Sequence, residues 1–567
     1  MIKRIVVFFV ALLVSITLIA CGETPKETFV INYQDIGGET FSGTFVGSHP
    51  TTHTVGVETI LVNPEKEGYN FVGWFLNIMG SGEPINSLRP EKEFTAAINL
   101  FARWTPQVFN VTLDTNGGNS LSPLNLRFGQ SYIIPRPVKE GHLFLGWFND
   151  ADLIPERGTW TFLSDVILRA EWERIDFSSI EIGRSFAIAI DTEGRLWSWG
   201  NDRLNPEVIN SETTFAAISA GETHSVAIDT EGRLWSWGDN ANGRTGQGLV
   251  VGNTLIPTMI DTGHARFEKV VACETHNVAI DTMGRLWSWG SNANGGTGQG
   301  TTTGITNVPT LINIEGVIFN QITLSTTHSF AIDSNDYMWY WGGNDAALQN
   351  FDAQIVIFPI QIQVLSSIRM SMIVTTPYFT VAIDYEGNLW DWAWYRRENI
   401  AFLPSRVNTG SNRFTYITVG WSHFVAIDTF GNLWSWGDNR YNQLGLETDE
   451  LFTTNPAMIE TGGASFVNVS AGTAHSVAID TAGNLWSWGS NLHGRTGLGT
   501  ETGVQLHPTI IHLGNARFRN VESSRATSIA IDTEGRVWSW GFNDRGITGQ
   551  GTPSGGTLIP TQINFSI

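Results

Sequence analysis

Two titratable residue types recur at fixed places along the C-terminal two thirds of the chain. One sequence motif occurs eight times, and in each copy an aspartate ends a short apolar run; in five copies a histidine stands five residues before the aspartate. The aspartates are Asp191, Asp229, Asp281, Asp333, Asp384, Asp428, Asp480 and Asp532. The histidines are His224, His276, His328, His423 and His475. Paired carboxylates could act as general acid and base, and imidazoles could bind a metal ion. Both kinds of site need side chains that converge on one point, whereas these occur once in each unit. We therefore expect the aspartates to shape hairpin turns and the histidines to hydrogen-bond between neighbouring units.

Other motifs with known chemistry are incomplete. The glycine-rich segments 243–248 and 295–300 lack the Lys-Ser/Thr ending of a phosphate-binding loop, so we interpret them as connections between strands. The run Asp239-Asn240-Ala241-Asn242-Gly243 has oxygen ligands, but not the ligand order and distal glutamate of an EF-hand. No catalytic-serine, zinc-protease or Cys-x-x-Cys motif occurs. The sequence predicts no catalytic residue, no metal site and no cofactor, and we expect a protein that is not an enzyme.

The elements that carry these residues are short strands. In each unit the aspartate is followed by a polar turn with glycine and then by a Trp-x-Trp strand, which is typical of a β-hairpin. Successive Trp-x-Trp pairs, from Trp197/Trp199 to Trp538/Trp540, are spaced by 38, 52, 52, 51, 44, 52 and 52 residues. Each unit opens with a large apolar residue and ends in a proline-containing apolar stretch. Four short strands in about 50 residues are typical of a propeller blade.

The amino-acid sequence of the unit resembles the regulator of chromosome condensation repeat family. The resemblance rests on segments such as Val469–Asp480, then Gly483–Gly489, and on Asn442–Leu446. It implies a closed all-β propeller over residues 175–567, usually of seven four-stranded blades. Eight units are present here, the first shortened after Gly200 and the fifth irregular, so seven or eight blades are expected. We also expect the last strand, near Pro560, to pair with the opening segment Phe177–Ile182 and so close the ring.

The N-terminus is typical of an exported protein. Residues 1–20 form a signal peptide with Lys3 and Arg4 before an apolar run. The segment Leu18-Ile19-Ala20-Cys21-Gly22 resembles the lipobox of bacterial lipoproteins, which implies cleavage before Cys21 and attachment of a diacylglyceryl group to its sulfur. Residues 21–28 then form the lipidated end and a polar tether. We expect a lipoprotein that is held by Cys21 on the outer face of the bacterial membrane.

Two modules follow the tether, at residues 29–105 and 106–174. They share a glycine turn, a proline, a Gly-Trp-Phe strand and a closing Trp, as in Gly146-Trp147-Phe148 and Gly73-Trp74-Phe75. Both resemble the internalin-type B repeat, also called the Listeria–Bacteroides repeat, a small β-grasp-like module. The resemblance implies a stalk or an adhesion element on a bacterial surface.

The net charge of the chain excludes one class of partner. The formal net charge is −21, whereas nucleic-acid binding needs a basic surface, so no nucleic-acid partner is expected.

The cysteine content leaves no internal disulfide. Only two cysteines occur, and lipidation of Cys21 would leave no partner for a disulfide. Cys273 stands where sister units have Gly221 and Gly472, which predicts a small buried residue. We expect the chain to be monomeric.

The fifth unit departs from the pattern and supplies the candidate binding residues. It loses the glycine after its second Trp and concentrates aromatic rings and guanidinium groups, which are common at binding hot spots; the candidates are Trp392, Trp394, Tyr395, Arg396 and Arg397. Decay of the repeat is the alternative reading. In the next unit Trp421 resembles the tryptophan-bearing repeats of plant ultraviolet-B photoreceptors, but it occurs once rather than in a cluster. We include it among the binding residues and expect no light sensing.

These observations predict a cell-surface binding or adhesion protein whose propeller loops engage a protein or a glycan. Three alternatives remain open. Some secreted propellers with this repeat inhibit β-lactamase-like enzymes, and some nuclear members exchange guanine nucleotides, although export and acidity oppose the second role. An unrecognised hydrolase that uses loop carboxylates is the third.

Overall fold

Strands build almost all of the fold. The computed structural model describes residues 26–91, 94–139, 141–210, 212–248, 252–343, 355–362, 368–376, 379–392 and 404–565. The helical segments among those residues are short 3₁₀ turns, at 36–38, 241–243, 293–295 and 492–494. No helix in the described part is long and apolar enough to cross a membrane. The chain divides into two compact units near residue 170, with segments 117–119 and 137–145 grouped with the second unit.

The N-terminal modules repeat one strand arrangement. Their strands are β1 Thr28–Asp35, β2 Thr52–Thr54, β3 Thr59–Ile60, β4 Tyr69–Phe75, β5 Ser87–Leu88, β6 Ile98–Pro106, β7 Val108–Asp114, β8 Leu124–Arg127, β9 Ser131–Ile133, β10 His142–Asn149, β11 Asp152–Ile154, β12 Arg157–Thr159 and β13 Val166–Arg174. The first long strand of each module runs parallel to its last, β1 with β6 and β7 with β13. A buried Trp on the middle strand donates to a carbonyl twelve residues earlier, Trp74 to Val62 and Trp147 to Pro135.

The second unit consists of four-stranded sheets. Its described residues form eight sheets, each an antiparallel meander in chain order. The first strands are β14 Phe177–Ile182, β18 Phe215–Ala220, β22 Phe267–Ala272, β26 Phe319–Leu324, β30 Met370–Thr375, β34 Phe414–Val419, β38 Phe466–Ala471 and β42 Phe518–Ser524. The second strands are β15 Phe186–Asp191, β19 His224–Asp229, β23 His276–Asp281, β27 His328–Asp333, β31 Thr380–Asp384, β35 His423–Asp428, β39 His475–Asp480 and β43 Thr527–Asp532.

The Trp-x-Trp segments form the third strands, and the proline segments form the fourth. The third strands are β16 Leu196–Gly200, β20 Leu234–Gly238, β24 Leu286–Ser291, β28 Met338–Gly342, β32 Leu389–Trp392, β36 Leu433–Asp438, β40 Leu485–Ser490 and β44 Val537–Phe542. The fourth strands are β17 Arg203–Asn210, β21 Thr254–Met259, β25 Ile305–Leu311, β29 Val356–Gln361, β33 Ser405–Arg406, β37 Phe452–Met458, β41 Val504–Ile510 and β45 Gly556–Gln562. This arrangement confirms the prediction of an all-β propeller built from four-stranded sheets.

The recurring aspartate holds the hairpin between the second and third strands. In the second sheet, Asp229 Oδ1 accepts hydrogen bonds from the backbone N–H groups of Glu231 and Arg233, at 3.0 and 2.8 Å. Its Oδ2 accepts from the indole of Trp235 at 2.8 Å and from the Arg233 guanidinium at 2.6 Å. Burial alone would raise the pKa of Asp229, but these hydrogen bonds lower it overall. The aspartates therefore have the hairpin role that the sequence predicts, and each also fixes the first Trp of its strand.

The second Trp of each pair joins its sheet to the preceding one. Trp289 packs against Val226, Ile228 and Leu234 of the second sheet, and its indole donates to the carbonyl of Arg244 in that sheet's glycine-rich loop at 2.9 Å. We call this contact the loop latch. In a loop latch, the second Trp of one sheet holds the loop between the third and fourth strands of the preceding sheet.

The recurring histidines also join neighbouring sheets, as the sequence predicts. His224 Nε2 donates to Asn277 Oδ1 of the next sheet at 2.7 Å. His423 and His475 form the equivalent hydrogen bonds with Ser476 and Ser528, at 2.9 and 3.0 Å. Burial lowers the pKa of His423 to about 4 and that of His475 to about 3. These imidazoles are therefore neutral structural groups.

The predicted pairing of the last strand with the first is wrong. Strand β45 pairs with β44 of its own sheet, and β14 pairs with β15. The ring closes through packed faces instead: Phe565 lies 4.8 Å from Phe177 and 5.3 Å from Trp197, between ring centroids, and Ile563 joins the same core. Trp199 completes the closure with a 2.8 Å loop latch to the carbonyl of Ile547. Each unit supplies all four of its strands, so none is left to share.

Replacing His475 with the residue that two sister units carry at this position should make stability less sensitive to acid. We expect His475→Phe to lower the free energy of unfolding by about 1 kcal/mol at pH 7.5, because the hydrogen bond to Ser528 is lost. Because the pKa of His475 is lower in the folded protein than in the unfolded one, its contribution to stability is complete above about pH 6.5. That contribution is lost as the pH falls toward 3. The difference between the proteins should therefore shrink in urea titrations between pH 7.5 and 4.5. His264→Phe, at an exposed histidine, is the control; a difference that does not change with pH would contradict the assignment.

Candidate functional site

The first strands of the sheets surround a central channel, and one mouth of that channel is the candidate site. The connections between first and second strands form the mouth, which has a cavity of about 270 Å³. Small residues line its wall, including Gly183, Gly221, Gly420, Gly472 and Ser524. In six of the eight connections the next residue also lines the cavity, and these residues are larger; they are Arg184, Glu222, Glu274, Trp421, Thr473 and Arg525.

Charged residues of both signs lie close together at this mouth. Arg525 forms a 2.6 Å ion pair with Glu222, which belongs to a sheet two places further around the ring. Between them, the backbone N–H of Arg184 donates to the carbonyl of Glu222 at 3.0 Å. Arg184 and Glu274 are exposed. Because these residues lie on short connections between buried strands, the strands fix the positions of the charges at the mouth.

Trp421 is the aromatic residue of this mouth. It is 53 % exposed, whereas the second Trp of the same sheet, Trp436, is 4 % exposed. The connection that carries Trp421 is anchored by a hydrogen bond from the backbone N–H of Gly420 to the carbonyl of His423, at 2.9 Å. An exposed indole on a fixed backbone is suited to contact a partner.

The predicted patch of the fifth unit divides in the structure. Trp392 is 4 % exposed and packs with Phe330, Tyr340 and Ile373, as the second Trp of its sheet. Trp394, Tyr395, Arg396 and Arg397 lie outside the described residues, so their role stays a prediction. Among the described candidates the structure therefore exposes Trp421 and buries Trp392.

Cys273 lines the channel mouth rather than the closed core. It is half-buried, and its Sγ lies 3.4 Å from His276 Nδ1 and 3.5 Å from Thr275 Oγ1. Burial would raise the pKa of the thiol, but the interactions with His276 and Thr275 together outweigh it and lower the pKa to about 7. No three His, Cys, Asp or Glu side chains are placed to hold a metal ion in the part of the chain that the structure describes.

Two glutamates on neighbouring first strands form a pair that sequence reasoning missed. Glu181 and Glu522 occupy the same position on the first strands β14 and β42, which meet where the ring closes. Burial, with the charge of Glu522 as a second cause, raises the pKa of Glu181 to about 8; burial raises that of Glu522 to about 7. Sister units carry smaller or apolar residues here, such as Ser219 and Val271. Two carboxyl groups at a position that is otherwise uncharged are the signal that could have identified the pair.

Removing the charge of Glu181 should stabilise the protein at alkaline pH. Because the pKa of Glu181 is higher in the folded protein, its contribution to stability is complete below the unfolded pKa near 4.5. That contribution is lost as the pH rises through about 8. The stability of Glu181→Gln relative to the unmodified chain should therefore increase between pH 5 and 9, measured as the shift in urea midpoint. Glu268→Gln, at an exposed position on β22, should show no such trend. A constant difference across this range would mean that Glu181 is charged in the fold throughout.

Comparison with known families divides the chain as the folds do. Residues 215–244, 283–332, 414–443, 431–479 and 466–495 match the regulator of chromosome condensation (RCC1) repeat. Residues 29–103 and 109–171 match the Listeria-Bacteroides repeat domain. The chain thus carries RCC1 repeats after two Listeria-Bacteroides repeats.

Similar proteins come from both eukaryotes and bacteria. The Arabidopsis thaliana ultraviolet-B receptor UVR8 is 28 % identical over 52 % of this chain and 69 % of its own length. An Evansella cellulosilytica protein described as a Gly-rich membrane protein is 35 % identical over 22 % of this chain, but the match spans 16 % of that protein. The human E3 ubiquitin-protein ligase HERC2 is 25 % identical over 55 % of this chain and 6 % of its own length. The crystal structure of Prp20p from Saccharomyces cerevisiae, 18 % identical, aligns over 69 % of this chain and 86 % of that chain with a TM-score of 0.46.

Proposed function

We propose that this chain, which carries RCC1 repeats behind two Listeria-Bacteroides repeats, is a non-catalytic binding protein of the bacterial cell surface. Its partner is a protein that docks on the channel mouth around Trp421. The observation that carries the proposal is the 53 % exposure of Trp421 at a cavity that Arg184 and Arg525 also line, on connections fixed between buried strands. Trp and Arg are the residues that most often dominate the energy of protein interfaces.

The charges of the mouth favour a protein over a uniformly charged ligand. Arg184 and Arg525 stand beside Glu222 and Glu274, so a partner must present both signs in a matching order. Such complementarity gives specificity and steers association. A glycan could also stack on the indole of Trp421, and it is the second ligand class for the test below.

Membrane anchoring is part of the proposal. A diacylglyceryl group on Cys21 supplies two acyl chains, which meets the condition for stable attachment to a bilayer. Cys21 lies outside the described residues, and the support comes from the lipobox-like sequence and from similarity to bacterial membrane proteins. The two Listeria-Bacteroides repeats would then act as a stalk between the anchor and the propeller.

Truncating Trp421 should weaken binding without weakening the fold. We expect Trp421→Ala to lower affinity for a cell-envelope protein partner by at least about thirtyfold, equivalent to about 2 kcal/mol, with an unchanged urea midpoint. The matched control is Phe430→Ala: Phe430 is in the same sheet and 76 % exposed, but lies on the hairpin at the other end of the strands. Affinity is measured by titrating the immobilised full chain with the captured partner.

This comparison distinguishes a protein ligand from a glycan, and Trp421 from the candidate residues of the fifth unit. If the ligand is a glycan, Trp421→Ala should lose binding to sugars on a glycan array that is probed with the same variants. Tyr395→Ala with Arg396→Ala tests the fifth unit in the same assay. Equal losses for Trp421→Ala and Phe430→Ala, or none for either, would overturn the assignment to the channel mouth.

Removing the predicted lipidation site should release the protein from the membrane. We expect Cys21→Ser to shift the protein from the detergent phase to the aqueous phase in Triton X-114 partitioning, because the remaining sequence would hold no acyl chain. Metabolic labelling with an alkyne fatty acid should mark the unmodified chain and leave the variant unlabelled. Retention of the variant in the detergent phase would contradict the lipoprotein assignment while leaving the binding proposal standing.

A further inference from the structure

The loop latches contain a recurring peptide pattern. Four of the described loops carry the sequence x-Thr-Gly-x-Gly, at residues 244–248, 296–300, 495–499 and 547–551. The carbonyl of the first residue accepts a hydrogen bond from the second Trp of the next sheet, at distances between 2.8 and 3.0 Å. The backbone N–H of the last glycine donates to a carbonyl of that sheet's fourth strand, as Gly300 does to Ile357 at 2.9 Å. Each latch is thus a short peptide held at two backbone atoms.

The middle glycine of the pattern cannot be replaced. Gly298 has φ +64°, and a Cβ there would lie 2.8 Å from Trp341 Cδ1 and 3.3 Å from Pro359 Cδ. Gly497 meets Trp540 and Pro560 in the same way. The indole edge and the proline ring therefore form a cradle that accepts a left-handed glycine and no side chain.

The first sheet has no such loop to offer. Its third strand ends at Gly200 and its fourth begins at Arg203, so Asn201 and Asp202 make the whole connection, both with positive φ. The second sheet therefore receives no latch from the sheet before it. A cavity of about 690 Å³ lies at this junction, lined by Ser198 and Gly200 on one side and by Ser225, Trp237 and Leu255 on the other. We call it the first-junction slot.

The second sheet nevertheless keeps the residues that bind a latch. Trp237 pairs with Ser225 across the ladder as Trp341 pairs with Ser329. Ser329 Oγ donates to the latch carbonyl of Gly296 at 3.2 Å. Ser225 is 1 % exposed, and its Oγ has no hydrogen-bond partner in the described part of the chain.

Two further features keep this slot open. Phe186 stands in the first sheet where five other sheets have a histidine, so no imidazole reaches Ser225. Leu255, two residues before the strand proline, holds the place of Ile357 and is 74 % exposed. A buried hydroxyl without a partner destabilises the fold, and a bound carbonyl would remove that cost. The slot thus presents a Trp, a hydroxyl and a strand edge arranged as in the occupied junctions.

We propose that the first-junction slot binds a Thr-Gly-x-Gly turn of a partner protein. The carbonyl before the threonine accepts from Trp237 and Ser225, the middle glycine lies in the cradle of Trp237 and Pro257, and the last glycine donates to the carbonyl of Leu255. The chain's own copies of this pattern are held in their latches, so the turn comes from another protein. This site deepens the proposed function as a protein-binding module, but its residues differ from Trp421.

A synthetic peptide tests the slot directly. We expect a fluorescent peptide with the sequence of residues 292–303, Asn-Ala-Asn-Gly-Gly-Thr-Gly-Gln-Gly-Thr-Thr-Thr, to bind the full chain saturably below about 1 mM in anisotropy titrations. A cyclised form should bind more tightly, because less conformational entropy is lost. The same peptide with alanine in place of its middle glycine should bind at least about tenfold more weakly, because the Cβ meets the indole edge.

Matched variants locate the binding. Trp237→Phe keeps the ring and removes the indole donor, and Ser225→Ala removes the hydroxyl; each should weaken the peptide about five- to tenfold. The same changes at an occupied junction, Trp341→Phe and Ser329→Ala, should leave peptide affinity unchanged. No saturable binding by either peptide form, or equal losses for both sets of variants, would overturn the proposal. Trp421→Ala should not affect the peptide, so failure at the channel mouth and failure at the slot are distinguishable.

Filling the slot from within gives a test that does not depend on peptide affinity. Replacing Asn201-Asp202 with residues 292–304, the loop of the third sheet, should place a latch carbonyl at Trp237 and Ser225. The graft should raise the melting temperature and abolish peptide binding. A folded graft that still binds the peptide at the original affinity, or that is less stable than the unmodified chain, would show that the slot does not accept this turn.

Discussion

Neighbouring sheets of the propeller depend on one side chain, the second Trp of each Trp-x-Trp pair. Burying an indole removes about 150–250 Å² from water, worth on the order of 4–6 kcal/mol as an upper bound. The ring N–H must be hydrogen-bonded at the same time, or part of that gain is lost. The glycine-rich loop of the preceding sheet supplies the acceptor, as Gln443 does for Trp488 at 2.8 Å. The loop and the tryptophan are therefore paired wherever a latch forms, which explains why both recur in the sequence. Trp237, which follows the short connection of the first sheet, is without such a loop.

This dependence also explains how the ring closes without a shared strand. The interface between the last and first sheets uses the same contact as the internal interfaces, with Trp199 donating to Ile547 as Trp540 donates to Arg495. A propeller in which one sheet mixes strands from both ends needs that pairing to hold the ends together. Here Ile563 and Phe565 extend beyond β45 and fill the core against Phe177. Face packing is sufficient, because each unit is complete on its own.

Much of the fold could be predicted from the repeat, because a position that recurs in each unit has the same role in each. The hairpin aspartates and the histidines between sheets are examples. The error over Trp392 arose from judging residue type without repeat position: it occupies the place of Trp237 and Trp289, which is core. Trp421 has no counterpart in sister units, and it is exposed. The first-junction slot could not be predicted, because it depends on the short connection of one unit lying against the intact strands of the next.

The slot and the channel mouth are parts of one surface, and this bears on how a partner would bind. Arg184 and Glu222 line both cavities, so the two sites adjoin at the first and second sheets. The contact with Trp421 and the surrounding charges supplies affinity and selects partners by the order of their charges. A slot that admits glycine and excludes any side chain discriminates strongly, since a wrong residue leaves Ser225 unpaired and meets the indole edge. A partner that covers the mouth and inserts a glycine turn would combine the two, and the shortened first unit is what makes that combination available.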